Sequence, residues 1–164
     1  MNTIDYIKDL HTTNYWATET LLNLIPQDIF YAETKGSFNS INTVFTHLWD
    51  AQQVWYNRLT GDANAPLPSK SFAGTHNEKI AAILKSYQNY IDLLADKTDD
   101  YLSQQLSYTN LKGIAFNQPQ YQILFQLTHH SASHRGQVLL LMRQLGFDGS
   151  IPQTDVVAWY RLFK

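Results

Sequence analysis

The stretch Pro119-Gln-Tyr-Gln-Ile-Leu-Phe-Gln-Leu-Thr-His-His-Ser-Ala-Ser-His-Arg-Gly-Gln-Val-Leu-Leu-Leu-Met-Arg-Gln-Leu-Gly146 decides the fold. Ile123, Leu127, His130, His134, Val138, Leu141 and Leu145 recur at spacings of three and four, the period of one helix face. Pro119 suits a first helical turn and Gly146 a C-terminal stop. A helix of this length needs long partners to cover its apolar face, and the rest of the chain supplies them. Ile4, Ile7, Leu10, Asn14, Ala17, Leu21 and Leu24 define a helix ending before Pro26. After a connection through Gly36, Ser40 to Leu59 place Val44, His47 or Leu48, Ala51, Val54 or Trp55, and Leu59 on one side, with Gly61 as C-cap. Thr75 and Glu78 form a capping box that opens a third helix, with Ile80, Ile83 or Leu84, Tyr87, Ile91 and Leu94 facing inward. Four such helices predict an all-α four-helix bundle.

Three segments depart from that period. Residues 61–76 are rich in turn formers and predict a long connecting loop that covers one end of the bundle. Between Tyr101 and Asn117, Leu106, Tyr108, Ile114 and Phe116 alternate with polar neighbours around Asn110-Leu-Lys-Gly113, predicting a short β-hairpin between the third and fourth helices. Asp155 caps a short C-terminal helix through Val157, Trp159, Tyr160 and Phe163, whose aromatics predict docking on the bundle or on a second subunit. No repeat or linker divides the chain, so residues 1–164 read as one domain.

Composition narrows the chemistry. The chain of 164 residues is 44% hydrophobic and 16% charged, enough apolar surface to support a core and exclude general disorder. It contains no cysteine, which removes disulfides, thiolate metal sites and any Cys nucleophile, so a metal would have to be held by His, Asp or Glu. The net charge is −2 and no basic stripe exists, which argues against a nucleic-acid partner. Neither a leader-like segment nor a run of ~20 apolar residues is visible, so no membrane association and a cytoplasmic location are expected.

The candidate chemistry lies in Leu127–Gln137. His130 and His134 are four residues apart, which on a helix brings their side chains to ~5–6 Å on one face, close enough to share a cation. Both fall on the predicted apolar stripe, where an ionisable group is costly unless paired or ligated. His47 repeats the anomaly on the second helix. Three neutral nitrogens with open positions describe a reactive metal site more than a closed structural one. The competing reading makes each a hydrogen-bonded core histidine with no metal. Ser131 stands where a zincin helix carries its general-base Glu, so protease chemistry is not supported.

Neighbouring residues have two readings each. Gln137 could donate a hydrogen bond at the rim of the site, and Asp50, three beyond His47, could orient an imidazole. Ordinary polar surface is the alternative for both. Arg135 points ~100° from His134 and is expected to play a structural role, reaching an acid on a neighbouring helix or a partner subunit, with a substrate contact as the alternative. Gly136, costly by ~1 kcal/mol within a helix, suggests close helix approach. Tyr15, Trp16, Trp49, Trp55 and Tyr56 are either core or the walls of an apolar pocket over a metal. His11, His76 and His129 read as surface or capping residues, with His129 facing away from the metal.

The His-x-x-x-His-Arg-Gly-Gln pattern at 130–137, His47 with Trp49 and Trp55, Asn14-Tyr-Trp-Ala17, Arg143-Gln-Leu-Gly146 and Asp155-Val-Val-Ala-Trp159 together resemble the DinB-like (DinB/YfiT) metalloprotein superfamily. The resemblance spans nearly the whole chain. It implies a four-helix bundle, often a homodimer, with a divalent metal such as zinc or nickel on His47, His130 and His134. Some relatives are transferases or isomerases that use glutathione, mycothiol or bacillithiol, and others are assigned as hydrolases. The family name derives from induction by DNA damage and implies no DNA binding. The expectation is therefore a metal-dependent enzyme that activates water or a small-molecule thiol for hydrolysis of, or transfer to, a small electrophile. The alternative is a non-catalytic bundle, stabilised by or sensing a metal, that serves as an interaction module.

Overall fold

The computed structural model describes residues 2–62, 65–110 and 112–164; the loop and turn expectations at Ala63, Asn64 and Leu111 lie outside the described residues. Four long helices form the body: α1 (Thr3–Leu24), α3 (Ile41–Thr60), α5 (His76–Leu94) and α7 (Gln120–Gln144). Short helices α2 (Gln27–Tyr31), α4 (Pro68–Ser71) and α6 (Asp99–Ser103) lie in the connections, and α8 (Val156–Phe163) follows the bundle. The short ones have too few residues to display a period in the sequence. Strands β1 (Gln105–Thr109) and β2 (Ala115–Pro119) pair antiparallel, with Tyr108 opposite Phe116 and Leu106 opposite Gln118. The predicted bundle with a hairpin before its last long helix is therefore the fold.

Helix limits follow local chemistry. Ser40 Oγ accepts the Thr43 amide at the start of α3, and Thr75 and Glu78 close the expected capping box on α5. The α1 amides receive a cap from afar, since Asp99 at the start of α6 accepts the Ile4 amide at 2.7 Å. Gly61 (φ 89°) and Gly146 (φ 86°) end α3 and α7 in left-handed backbone that disfavours a side chain. The 61–76 connection does not cover a bundle end as expected. Its α4 lies against α3, where Phe72 packs edge-on to Trp49 and Asp50 accepts both Ser69 N–H and Ser69 Oγ–H.

Both α1 and α3 pack on α5 and α7, so α1 and α3 stand diagonally across the bundle. Two apolar clusters fill it. One joins Phe30, Ile41, Phe45, Leu48, Ile83 and Met142; the other joins Ile4, Ile7, Tyr90, Leu94, Leu124 and Leu127. Buried polar groups lie among the same helices. Ser131 Oγ accepts from Gln52 Nε2 at 3.0 Å and lies 3.3 Å from Tyr87 Oη, while Tyr90 Oη donates to Gln52 O at 2.6 Å. Arg135, 8% exposed, donates from Nη1 to Asn14 Oδ1 and Thr18 Oγ1. Burial works against its charge, lowering its pKa, and Tyr87 partly restores it.

These contacts correct the predicted helix faces. The buried residues of α7 include Leu127, Thr128, Ser131, Arg135 and Val138, whereas His130 and His134 lie at the edge of that stripe, half-buried. On α3 the buried set is Ile41, Val44, Phe45, Leu48, Trp49, Gln52 and Asn57, leaving His47 exposed. The periodicity was ambiguous because polar side chains occupy buried positions next to apolar ones at the edge. Arg135 reaches an amide and a hydroxyl, with no acid, because its fork enters the space between α7 and α1. Gly136 does not mark close helix approach: a Cβ built there meets nothing within 4 Å. His11 is also not a surface residue; it is 3% exposed, stacked on Tyr90 with ring centroids 5.1 Å apart.

Inside the bundle His11 donates from Nε2 to Leu124 O at 3.2 Å, and burial pushes its pKa down to about 4. The unfolded chain, with an ordinary histidine near 6.5, then binds more protons than the folded one between these values. Stability consequently falls as pH drops through that window, by about 3 kcal/mol from this group once the pH is below the folded value. Urea unfolding measured from pH 7 to pH 4 should show a shallower loss in His11→Phe than in the wild-type chain.

Candidate metal centre

His47 is carried by α3, and His130 and His134 by successive turns of α7. Because α3 and α7 are packing neighbours, their edge positions meet at one groove. His130 Nε2 lies 3.2 Å from His47 Nε2 and 3.1 Å from His134 Nε2, and the ring centroids are 4.5–5.1 Å apart. The structure thus brings together the three histidines singled out in the sequence, and their ligand atoms all lie within 4.8 Å of one another.

The hydrogen positions available cannot satisfy this cluster. His134 Nδ1 lies 2.7 Å from Gln137 Oε1, an acceptor, so Nδ1 carries the proton and Nε2 presents a lone pair. His130 Nε2 has one proton at most and cannot serve both neighbours as a linear donor. A cation satisfies all three lone pairs together. Nitrogens bound to one zinc at ~2.0–2.1 Å in tetrahedral geometry lie roughly 3.3 Å apart, close to the two short separations here.

Electrostatics favour the ligand form of the rings. His130 has its pKa lowered to about 4, first by burial and then by the neighbouring His134 and His47. His47 is lowered by burial and by His134, opposed by Asp50. Neutral imidazole is the species that binds a metal, so a group that resists protonation remains available at neutral pH.

Other expected site residues separate. Gln137 is at the centre, but it accepts from His134 instead of donating at the rim. Asp50 makes no hydrogen bond to His47; both its oxygens hold Ser69. None of the five proposed pocket aromatics lines the histidine cluster. Trp49 packs on Phe72, Trp55 on Tyr108, Tyr56 on Tyr90, and Trp16 on Phe163, while Tyr15 donates to Glu19 at 3.1 Å. Phe38, in a loop where no period marks it, is an aromatic at the site. Its ring centroid lies 5.6 Å from His47 and 5.3 Å from His134. A cavity of about 170 Å³ adjoins it, bordered by Lys35, Phe38, Gln137 and Leu141. His129 faces away from the cluster as expected, packed on Phe125, and His76 lies 3.3 Å from Tyr31 Oη at the start of α5.

A helical bundle with three converging imidazoles on adjacent helices is the class this fold and site define. The model of the DinB family matches residues 8–159, and the chain belongs to that family. Protein DinB of Bacillus subtilis (strain 168) is 25% identical over 153 residues, covering 87% of this chain and 88% of that protein. Two solved structures share the fold. A DinB-like protein of Bacillus subtilis, YjoA, superposes with a TM-score of 0.68 at 14% identity, covering 92% of this chain and 98% of the other. A DinB-like protein of Bacillus cereus ATCC 10987 gives 0.64 at 20% identity, covering 85% and 92%. Among the described residues, no helix is long and apolar enough to cross a membrane.

Gln137 holds the His134 ring in the tautomer that turns Nε2 toward its neighbours. Loss of such a partner commonly costs 10–100-fold in metal affinity. Gln137→Leu should therefore weaken zinc binding by about that factor in competition with a chelator of known affinity, with helical content unchanged by circular dichroism.

Proposed function

We propose that the chain is a divalent-metal-dependent enzyme in which His47, His130 and His134 hold the cation, zinc or nickel, and water or a small-molecule thiol is activated for attack on a small electrophile. The observation that carries the reading is the convergence of three imidazole Nε2 atoms, which share too few protons to satisfy one another. A bound cation of this kind acts as a Lewis acid, lowering the pKa of water or thiol at its open positions.

The chain's own residues supply ligation, orientation and exclusion of solvent. Gln137 fixes one imidazole, and Phe38 packs against two, tilted on His47 and edge-on to His134. Gln137 is thus a positioning residue, and Asp50 acts on the loop at Ser69, outside the reaction. The absence of cysteine means that any thiol enters as a cosubstrate of low molecular weight. The set of three protein ligands among the described residues favours an enzyme over a purely structural metal site, because a closed tetrahedral sphere needs a fourth protein ligand.

Elemental analysis of protein purified without tag or chelator tests the ligation. About one zinc or nickel per chain is expected, lost in His47→Ala and in His134→Ala, as a site with three protein ligands requires. A wild-type chain that stays metal-free when offered either ion overturns the reading. Solvent exchange at the metal, followed by water relaxation in a paramagnetic substitute such as cobalt, separates the enzyme from a closed structural site.

We further propose a cytoplasmic homodimer. Val157, Leu162 and Phe163 on α8 are 55%, 65% and 57% exposed, an apolar surface that a second copy could cover. Sedimentation equilibrium should give twice the chain mass, and Leu162→Glu with Phe163→Glu should shift it toward the monomer.

A further inference from the structure

The face of α7 turned away from the histidine cluster carries a second cavity. It has a volume of about 370 Å³ and lies between α1, α7 and the start of α8. Its polar lining includes Arg135, Asn14 and Thr13, which are 8%, 2% and 3% exposed, together with Thr128, His129 and Thr154. Leu10, Phe125 and Leu139 provide apolar wall, and Asp155 stands at the α8 side.

The polar groups leave donors over. Arg135 makes its hydrogen bonds within the chain through Nη1, so the Nε and Nη2 protons have no partner among the described residues. Its guanidinium also has no carboxylate within ion-pair distance among the described residues. Asn14 accepts from Arg135 with Oδ1, but its Nδ2 is buried without a partner, and so is Thr13 Oγ1. Buried donors without acceptors are uncommon, because each forfeits its hydration. A group offering acceptor oxygens and one negative charge would meet the edge of the guanidinium that the chain leaves free.

Gly136 supplies the space. It lies in the interior of a 25-residue helix, where glycine costs ~1 kcal/mol relative to alanine, and nothing in the chain approaches within 4 Å of where a Cβ would stand. It borders the cavity, beside the half-exposed ring of Phe125. The glycine thus opens the cavity without serving contact between helices.

We propose that this cavity binds a small monocarboxylic acid with an apolar body, as a site separate from the three-histidine centre. The carboxylate meets the free edge of the Arg135 guanidinium, which Asn14 and Thr18 hold in place through Nη1, and the body lies along Leu10, Phe125 and Leu139. Asp155, whose Oδ1 accepts the Ala158 amide at 2.9 Å, places negative charge at the same cavity and so opposes any anion, a dianion such as phosphate more than a monocarboxylate.

Calorimetric titration of the full chain with 3-phenylpropionate tests the site. A dissociation constant of about 1 mM or tighter is expected, the range for a ligand of this size. The uncharged 3-phenylpropan-1-ol should bind at least about tenfold more weakly, since charge-assisted bonds to the guanidinium are lost, and inorganic phosphate should not bind. Gly136→Leu fills the cavity while favouring the helix, so it should melt no lower than wild type, retain the metal and lose the probe. Arg135→Met should lose the preference for acid over alcohol. The His130→Ala, His134→Ala double variant should bind the acid as wild type does, which distinguishes this cavity from a carboxylate held at a metal and keeps the test independent of the proposed enzyme function. Equal binding of acid and alcohol, retention of binding in Gly136→Leu, or its loss in the histidine double variant would overturn the proposal. So would a wild-type dimer that ignores the acid and becomes monomeric in Gly136→Leu, because the occupant would then be a second copy of the chain.

Discussion

The rotation of α7 about its own axis is the constraint from which both the interior and the candidate sites follow. Ser131 and Arg135, one turn apart, point into the bundle: Ser131 meets Gln52 and Tyr87, and Arg135 meets Asn14 and Thr18. These contacts tie α7 to α3, α5 and α1. A slip of one residue would turn the helix by ~100°, breaking all of them and leaving buried donors and acceptors unpaired. Apolar packing alone would tolerate more variation, since leucines at neighbouring positions can exchange roles. The polar contacts therefore specify the register of a bundle whose stability comes chiefly from its two apolar clusters.

With Ser131 and Arg135 inward, the residue preceding each is carried to the edge beside α3. His130 and His134 consequently meet His47 near solvent, where ligands and exchangeable molecules can reach them. Full burial would have raised the cost of any charged state and closed the groove to solvent. Edge placement also explains the asymmetry of the environment. Burial and then the neighbouring imidazoles lower the pKa of His130, while Phe38 packs edge-on to His134 and Gln137 accepts from its Nδ1. The protein side thus arranges neutral ligands in advance, and the metal chemistry proposed for them needs little further ordering.

The same rotation gives α7 a second face that borders a cavity. Arg135 extends toward α1, and Gly136 follows it at a cavity bordered by Phe125 and Asp155. Membership of the DinB family accounts for the bundle and for the resemblance carried by the His-x-x-x-His-Arg-Gly-Gln segment. Within that segment the residues divide by direction: the two histidines and Gln137 serve one groove, Ser131 and Arg135 the interior, and Gly136 the opposite cavity. Three adjacent letters in the sequence, Arg135, Gly136 and Gln137, therefore belong to three different environments.

The amino-acid sequence by itself determined the four long helices, the hairpin and the capping of α3 and α5, because period, turn chemistry and caps are local. It also singled out His47, His130 and His134, since ionisable groups near apolar periodicity are conspicuous. It misplaced these histidines in the core and His11 on the surface, because one-dimensional patterning cannot tell a buried polar residue from an exposed one. Phe38 and the true partner of Asp50 were equally hidden, as both depend on loops folding back onto helices. Tertiary structure decided which edge of each helix faces its neighbour, and hence that three distant imidazoles share one groove while a buried arginine faces a separate cavity. The physical reason is that hydrogen-bond partners, unlike hydrophobic period, lie far away along the chain: Asn14 and Arg135 are 121 residues apart and meet only when the bundle has closed.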